Sequence, residues 1–289
     1  MSREEAAAAG SAMEYVLGTG RDELERLGLQ HQLWSDAAHA LWRQARIRRG
    51  MRVLDVGCGP GYASFELAQF VGSEGFVLGV DESPNYIAFL NAQAGQRHLP
   101  QLRGAVGDVQ ELARVGAASG CELGSFDLAY ARWVLCFVPR PEDVVRGVGA
   151  LLKPGGRFCV NDYFNYRSMT MAPRRESHER AVAATIASWH ARGGDTDIMG
   201  RLPRLLKEHG FRVDHIGVHQ RLARGGNGGD TMFHWPDLWW RIYAPKLVQM
   251  GYLAKLDQEQ LFRDLDEAAR SDTDFLVAPP VFEIVATKI

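Results

Sequence analysis

Three carboxylates stand where short apolar runs come to an end. Asp55 lies within Arg52-Val53-Leu54-Asp55-Val56, directly ahead of Gly57-Cys58-Gly59-Pro60-Gly61; Asp81 closes the run Gly75-Phe76-Val77-Leu78-Gly79-Val80; and Asp108 follows the weaker run at 102–106. Glycines at 57, 59 and 61 let the chain turn tightly and let ligand atoms approach backbone N–H groups at a helix start. An acidic residue some twenty positions further on suits ribose hydroxyls. A dinucleotide fingerprint would need glycine at its sixth position, where this chain has Tyr62. Asp55 argues the same way, because a carboxylate beside a phosphate-binding loop repels a pyrophosphate and favours an amino group or other positive charge. Each carboxylate alone is equally well a solvated loop residue or a helix cap. Three of them at successive strand tips make that bland alternative weak.

The elements that must position these groups follow from periodicity. Apolar runs at 52–56, 75–80, 102–106, 126–131 and 157–161 alternate with helical stretches at 62–71, 84–96 and 142–152, the second of these with Ser83 as N-cap and Pro84 at the first position. Strands alternating with helices imply βαβ units and a largely parallel sheet. Toward the end, 211–216 and 281–287 are strand-like, and the second alternates apolar with polar or small residues as an antiparallel edge strand would. Residues 1–50 are helical and mixed, with leucines at helical intervals over 22–29 and an amphipathic pattern from Ser35 to Arg49. The stretches 162–200 and 221–280 are too long for ordinary connections and look partly helical, so they count as insertions. The organisation expected is a segment at 1–50 that acts as a helical lid, then one domain at 51–289 carrying both insertions.

Composition narrows the function classes. Thirty-three basic residues against 35 acidic ones give a net charge of −2 over 289 residues, which supplies no global field for gripping nucleic acid. Four scattered cysteines make neither a disulfide scaffold nor a zinc site. No apolar run has the roughly 18 residues needed to span a bilayer, and the start lacks a signal-peptide pattern. A cytoplasmic protein without a membrane span is expected.

Val53-Leu54-Asp55-Val56-Gly57-Cys58-Gly59-Pro60-Gly61 resembles the first motif of the class I S-adenosylmethionine-dependent methyltransferases. Gly79-Val80-Asp81-Glu82-Ser83, Gly107-Asp108-Val109, Phe126-Asp127-Leu128 and Leu151-Leu152-Lys153-Pro154-Gly155-Gly156 are similar to the later motifs, in the same order. The likeness is closest to the small-molecule members, a group that includes the ubiquinone and menaquinone C-methyltransferases. It implies an α/β, Rossmann-like, doubly wound sheet of seven mostly parallel strands with a last antiparallel strand, decorated by helical caps. It also implies S-adenosyl-L-methionine as cofactor. Gly57, Gly59 and Gly61 would then cradle the methionine part with Asp55 near its ammonium group, and Asp81, with Glu82 beside it, would meet the ribose. Asp108 would receive the adenine amino group, the Val109 N–H would point at the ring, and Arg132 and Trp133 would line the sulfonium end. Tyr15 is similar to a tyrosine that some members place over the cofactor.

Methyl transfer to a hydroxyl or amine can need a general base, whereas alignment and water exclusion supply much of the rest. Candidates are Asp162, Tyr163, Tyr166, His178, His190 and His234, of which Tyr163 and His234 are favoured. A histidine or tyrosine on a helix is more often packed or solvated than catalytic. Ala131-Arg132-Trp133-Val134-Leu135 lacks the Asn/Asp-Pro-Pro-Tyr/Phe motif of amino-methylating nucleic-acid enzymes, which points to a small-molecule acceptor. No carboxylate and histidine set has metal-ligand spacing. Trp235, Trp239, Trp240 and Tyr243 form an apolar acceptor pocket, an oligomer contact or ordinary core. The alternatives are an NAD(P)-linked oxidoreductase on a related fold and a non-catalytic cofactor-binding protein.

Overall fold

The computed structural model describes residues 21–289. Tyr15 and the first part of the expected lid lie outside the described residues. A seven-stranded sheet runs through the molecule in the order β3-β2-β1-β4-β5-β10-β7, formed by β1 (Arg52–Val56), β2 (Phe76–Asp81), β3 (Leu102–Val106), β4 (Phe126–Arg132), β5 (Leu152–Tyr163), β7 (Phe211–His219) and β10 (Val281–Lys288). The first five are parallel; β10 runs antiparallel to both β5 and β7. Strand order reverses beside β1, which leaves a crevice at the carboxyl ends of β1 and β4.

Parallel strands covered on both faces read as unbroken apolar runs, and β1 and β2 each carry four consecutive buried residues. The helices between them are α2 (Tyr62–Val71), α3 (Pro84–Gln96), α4 (Leu112–Ala118) and α5 (Pro141–Leu151). The Ser83 hydroxyl accepts from the Tyr86 N–H at 3.3 Å, so the expected cap is formed. Glu142 and Asp143 in the first turn of α5 face the positive end of its dipole.

Two expectations need correction. Strand β10 is not an edge strand: it pairs on both sides, and four consecutive residues, Glu283 to Ala286, are buried rather than alternating. The edge is β7, whose burial alternates residue by residue, with Ile216 and Val218 exposed. Residues 21–44 also form one continuous helix, α1, that ends at Gln44 rather than near Arg49. Its indoles Trp34 and Trp42 are buried, the latter edge-on to Tyr130 of β4 at 5.2 Å.

The long stretches contribute α6 (Glu176–His190), α8 (Thr231–Gln249) and α9 (Lys255–Arg270), with α7 (Leu202–Glu208) between them. They also hold something the sequence pattern did not disclose. Strands β6 (Thr170–Ala172), β8 (Leu222–Arg224) and β9 (Phe275–Val277) pair as a separate antiparallel sheet that stitches the two insertions together. All four cysteines are free and buried, and among the described residues no helix is long and apolar enough to cross a membrane.

Candidate active site

The crevice deepens into a cavity of about 300 Å³ whose wall is built by α1, the tips of β1–β5, the turn after α6 and one face of α8. Its two ends differ in chemistry.

At the first end, Asp55, Asp81, Glu82 and Asp108 share the wall with Gly57 and Gly59. The glycine loop is shaped by packing on both sides. A Cβ on Gly57 would lie 2.4 Å from Val134, and one on Gly61 would lie 2.6 Å from Leu90, so the loop is pressed flat onto its neighbours. Gly59 differs: its φ is +54° and a Cβ there would meet nothing within 4 Å, because that side is the cavity. Asp81 organises the loop by accepting from the Gly59 N–H at 2.8 Å and the Ser83 N–H at 3.0 Å. Burial raises its carboxyl above the usual range. Asp55 is fully enclosed, bonded by the Ser64 hydroxyl at 2.5 Å, and burial pushes it up to about 7, with the Asp81 charge adding and Arg132 opposing. Asp108 accepts from the Gln110 N–H at 2.8 Å and so starts a short 3₁₀ turn through Val109, which is buried.

Arg132 bounds this end. One of its amino groups, Nη2, donates to His31 Nδ1 at 3.0 Å; the other, Nη1, is buried without a partner. His31 in turn meets Glu66 through Nε2 at 3.2 Å. Burial, with Arg132 assisting, lowers the His31 pKa, so the ring is neutral, accepting from arginine and donating to Glu66. Next to it Trp133 holds a left-handed backbone with φ +53°, unusual for so bulky a residue, and its indole stands at the junction of the two ends.

The second end is a box of rings. Trp133 stacks with Tyr163 at 6.0 Å and with Trp235 at 6.0 Å. Tyr163 meets Tyr166 edge-on at 5.0 Å, and Trp239 stacks on Tyr243 at 4.6 Å. Trp189 closes the box against Phe137 at 4.5 Å. Two guanidiniums, Arg26 and Arg192, also reach this wall.

The site residues expected from the sequence divide clearly. Asp55, Gly57, Gly59, Asp81, Glu82, Asp108, Val109, Arg132, Trp133 and Tyr163 share one cavity wall, while Gly61 supports the loop from behind. His234 is a correction: it is exposed and is not part of the wall, because α8 turns Trp235, Pro236, Trp239 and Tyr243 to the cavity. Tyr163 is in place on the wall, and burial pushes its phenol well above the ordinary value, which favours the protonated form. Asp162 ties the tip of β5 to the segment after β4, accepting from the N–H groups of Cys136 at 3.1 Å, Val134 at 3.3 Å and Tyr163 at 2.9 Å. His178 is wholly buried, packed edge-on to Trp240 at 5.3 Å, and its pKa falls to about 4 through desolvation. His190 is exposed and bonds to Thr196 at 3.3 Å. Missed altogether were Arg26, Gln30, Trp189 and Arg192. For the first two a signal existed: Glu23, Arg26 and Gln30 recur at helical spacing with His31, a polar stripe on the face that α1 turns inward. Of Trp240, among the rings expected to form a pocket, the structure makes core.

Comparison with known proteins bears on the fold and the family. A family model described as a methyltransferase domain matches residues 47–222. The arsenite methyltransferase of Aquipseudomonas alcaligenes is 33% identical over 197 residues, covering 64% of this chain and 52% of that protein. An uncharacterized protein encoded in transposon Tn4556 of Streptomyces fradiae is 28% identical over 240 residues, covering 83% of this chain and 63% of the other. The chain thus spans between about half and under two thirds of the length of these curated relatives. Among solved structures, a putative methyltransferase of Bacillus halodurans superposes with a TM-score of 0.59 at 15% identity, covering 86% of this chain and 97% of its own, a likeness of fold.

Proposed function

The chain belongs to the methyltransferase-domain family, and from that premise we propose that it moves a methyl group from S-adenosyl-L-methionine to a small-molecule acceptor. The observation that carries this is the opening of the glycine loop and the strand-tip carboxylates into the same cavity as the box of rings.

The residues present fit the cofactor. Gly59 offers an open cradle where any side chain would intrude, and Arg132 Nη1 is a buried donor without a partner, suited to a carboxylate. Four carboxyl groups at one end suit a cation and would repel a pyrophosphate. In this assignment Gly57, Gly59 and Asp55 hold the amino acid's ammonium group, Arg132 its carboxylate, Asp81 the ribose hydroxyls, and Asp108 with the Val109 N–H the adenine. Glu82 stands at the rim, and Trp133 faces the sulfonium end, where an aromatic ring attracts a cation. Bound there, the cofactor supplies an electrophilic methyl on a good leaving group.

The protein's part is alignment and exclusion of water. Helix α1 and the two insertions serve as the cover, with α1 and α8 together closing the outer wall; the Trp235 indole N–H donates to Gln30 Oε1 at 2.9 Å across that seam. Tyr163 acts as wall and donor, its proton held in place by burial.

Calorimetric titration with S-adenosylhomocysteine tests the assignment. Wild-type protein binds in the micromolar range, and Asp81→Ala weakens binding by about 100-fold, the worth of a charge-assisted pair of hydrogen bonds. Unchanged affinity in that variant overturns the ribose contact. Binding without any S-adenosylhomocysteine formed from a broad acceptor panel would instead favour a non-catalytic cofactor-binding protein.

A further inference from the structure

The aromatic end of the cavity is rich in donors and lacks a base. Among the described residues that line it there is no histidine, lysine, aspartate or glutamate. Its phenols are not available to take a proton. Burial drives Tyr163 and Tyr166 far above their ordinary values. The Tyr243 oxygen accepts from the Trp189 indole N–H at 3.1 Å and from Arg192 Nη2 at 2.9 Å, which fills both lone pairs. Its own proton then goes to Ser188 Oγ at 2.9 Å, and Ser188 passes a hydrogen bond to the Thr185 carbonyl at 2.8 Å.

The two guanidiniums on this wall are in different states. Arg26 is committed to Glu23, at 2.8 Å and 2.7 Å, and to Gln30 at 2.8 Å. Arg192 donates through Nη2 to Tyr243 at 2.9 Å and lies 4.0 Å from Met250 Sδ through Nη1, and no ion pair joins it to a carboxylate among the described residues. Two buried indole N–H groups of the same wall, Trp133 Nε1 and Trp239 Nε1, also have no acceptor. A half-buried cation and orphaned donors between aromatic faces cost free energy until a ligand brings negative charge to them.

We infer that the acceptor is a planar aromatic oxyanion, lying against the ring-lined wall and steered by Arg192. Its nucleophile is a carboxylate or an enol or phenol acidic enough to be ionised at neutral pH. This deepens the methyl-transfer reading above and rests on it. The step balances without a base. The acceptor oxygen forms a bond to the methyl carbon, the carbon–sulfur bond breaks, and its electron pair stays on sulfur. A neutral methyl ester or ether and S-adenosylhomocysteine result, with no proton to remove, which is why a base-free box is sufficient.

The test uses the full chain preloaded with S-adenosylhomocysteine and follows quenching of tryptophan fluorescence. Two matched probe pairs are titrated: anthraquinone-2-carboxylate against its carboxamide, and ionised 2-hydroxy-1,4-naphthoquinone against its methyl ether. Wild-type protein is expected to prefer at least one anion over its neutral partner by about tenfold or more. Arg192→Gln should abolish most of that preference, Arg192→Lys should restore part of it, and both should keep the wild-type melting temperature within a few degrees. Preference in the carboxylate pair alone assigns ester formation, and in the naphthoquinone pair alone assigns ether formation. Equal binding within both pairs, or a preference that survives in Arg192→Gln, overturns the inference while leaving methyl transfer intact. Failure of S-adenosylhomocysteine itself to bind the wild type overturns both.

Discussion

At the acidic end of the cavity Asp55, Asp81 and Asp108 come from the tips of three strands that lie side by side. At the aromatic end Trp189, Arg192, Trp235, Trp239 and Tyr243 come from two insertions that are far apart in sequence and meet only through tertiary packing. The first end is therefore held by ladder hydrogen bonds and by glycines whose Cβ positions are already occupied by Val134 and Leu90. The second is held by ring contacts of 4.5–6.0 Å and by one hydrogen-bond hub at Tyr243. One end is built on the sheet and lined by carboxyl groups. The other is shaped by side chains alone, so it can change without disturbing the sheet.

Filling the open side of the acidic end should separate the two most strongly. Gly59→Ala places a methyl in the cradle and a Cβ on a left-handed backbone. Affinity for S-adenosylhomocysteine should fall by about tenfold or more, with only about 1 kcal/mol lost in denaturant unfolding. A variant that binds normally would show that the cradle is not where the cofactor lies.

Protons offer a second separation. Asp55 sits at about 7 in the free protein because burial disfavours its charge. A bound cation favours the carboxylate and lowers that value in the complex. Below pH 7 binding must then expel a proton, so affinity decreases as pH falls, by about tenfold between pH 7.5 and 5.5. Asp55→Asn should flatten the profile; an equally steep profile in that variant would assign the proton elsewhere. The same linkage opposes stability in the other direction. A carboxyl whose folded pKa lies above its unfolded one leaves the native state bound to more protons, so it reduces stability as pH rises from about 4 toward 7. The smallest effect belongs to His234→Ala, which should change neither cofactor affinity, acceptor binding nor melting temperature, since the side chain is exposed and off the wall. A clear loss of turnover in that variant would mean that α8 moves during the reaction.

How much of this was legible in the sequence follows the same division. The acidic end could be read residue by residue, because an apolar strand followed by Gly57-Cys58-Gly59-Pro60-Gly61, or by Asp81 or Asp108, is a local pattern with a local cause. The aromatic end could not. His234 lies beside Trp235 in sequence, but a helix turns neighbours about 100° apart, and only one of them faces in. Trp189 lies 50 residues from Trp239 and Arg192 lies 51 from Tyr243, with no spacing to announce the meeting. Strands of three residues such as Leu222–Arg224 are too short for an alternating pattern to register. In α1 the leucines at 24 and 27 suggested a plain apolar face, whereas Glu23 and Arg26 are the buried pair, made tolerable by bonding to each other. Asp162, one of the six candidate bases, shows a related limit: a carboxylate at a strand tip serves a ligand or the backbone, and here three N–H groups take it.

Electron density from a crystal soaked with S-adenosylhomocysteine tests the division of the cavity most directly. The account predicts ribose oxygens on Asp81, adenine beside Asp108, the amino acid over Gly59 with its carboxylate on Arg132, and a thioether sulfur facing Trp133 toward the rings. Density for the adenosyl group among Trp189, Trp239 and Tyr243, or none at the strand tips, would contradict it.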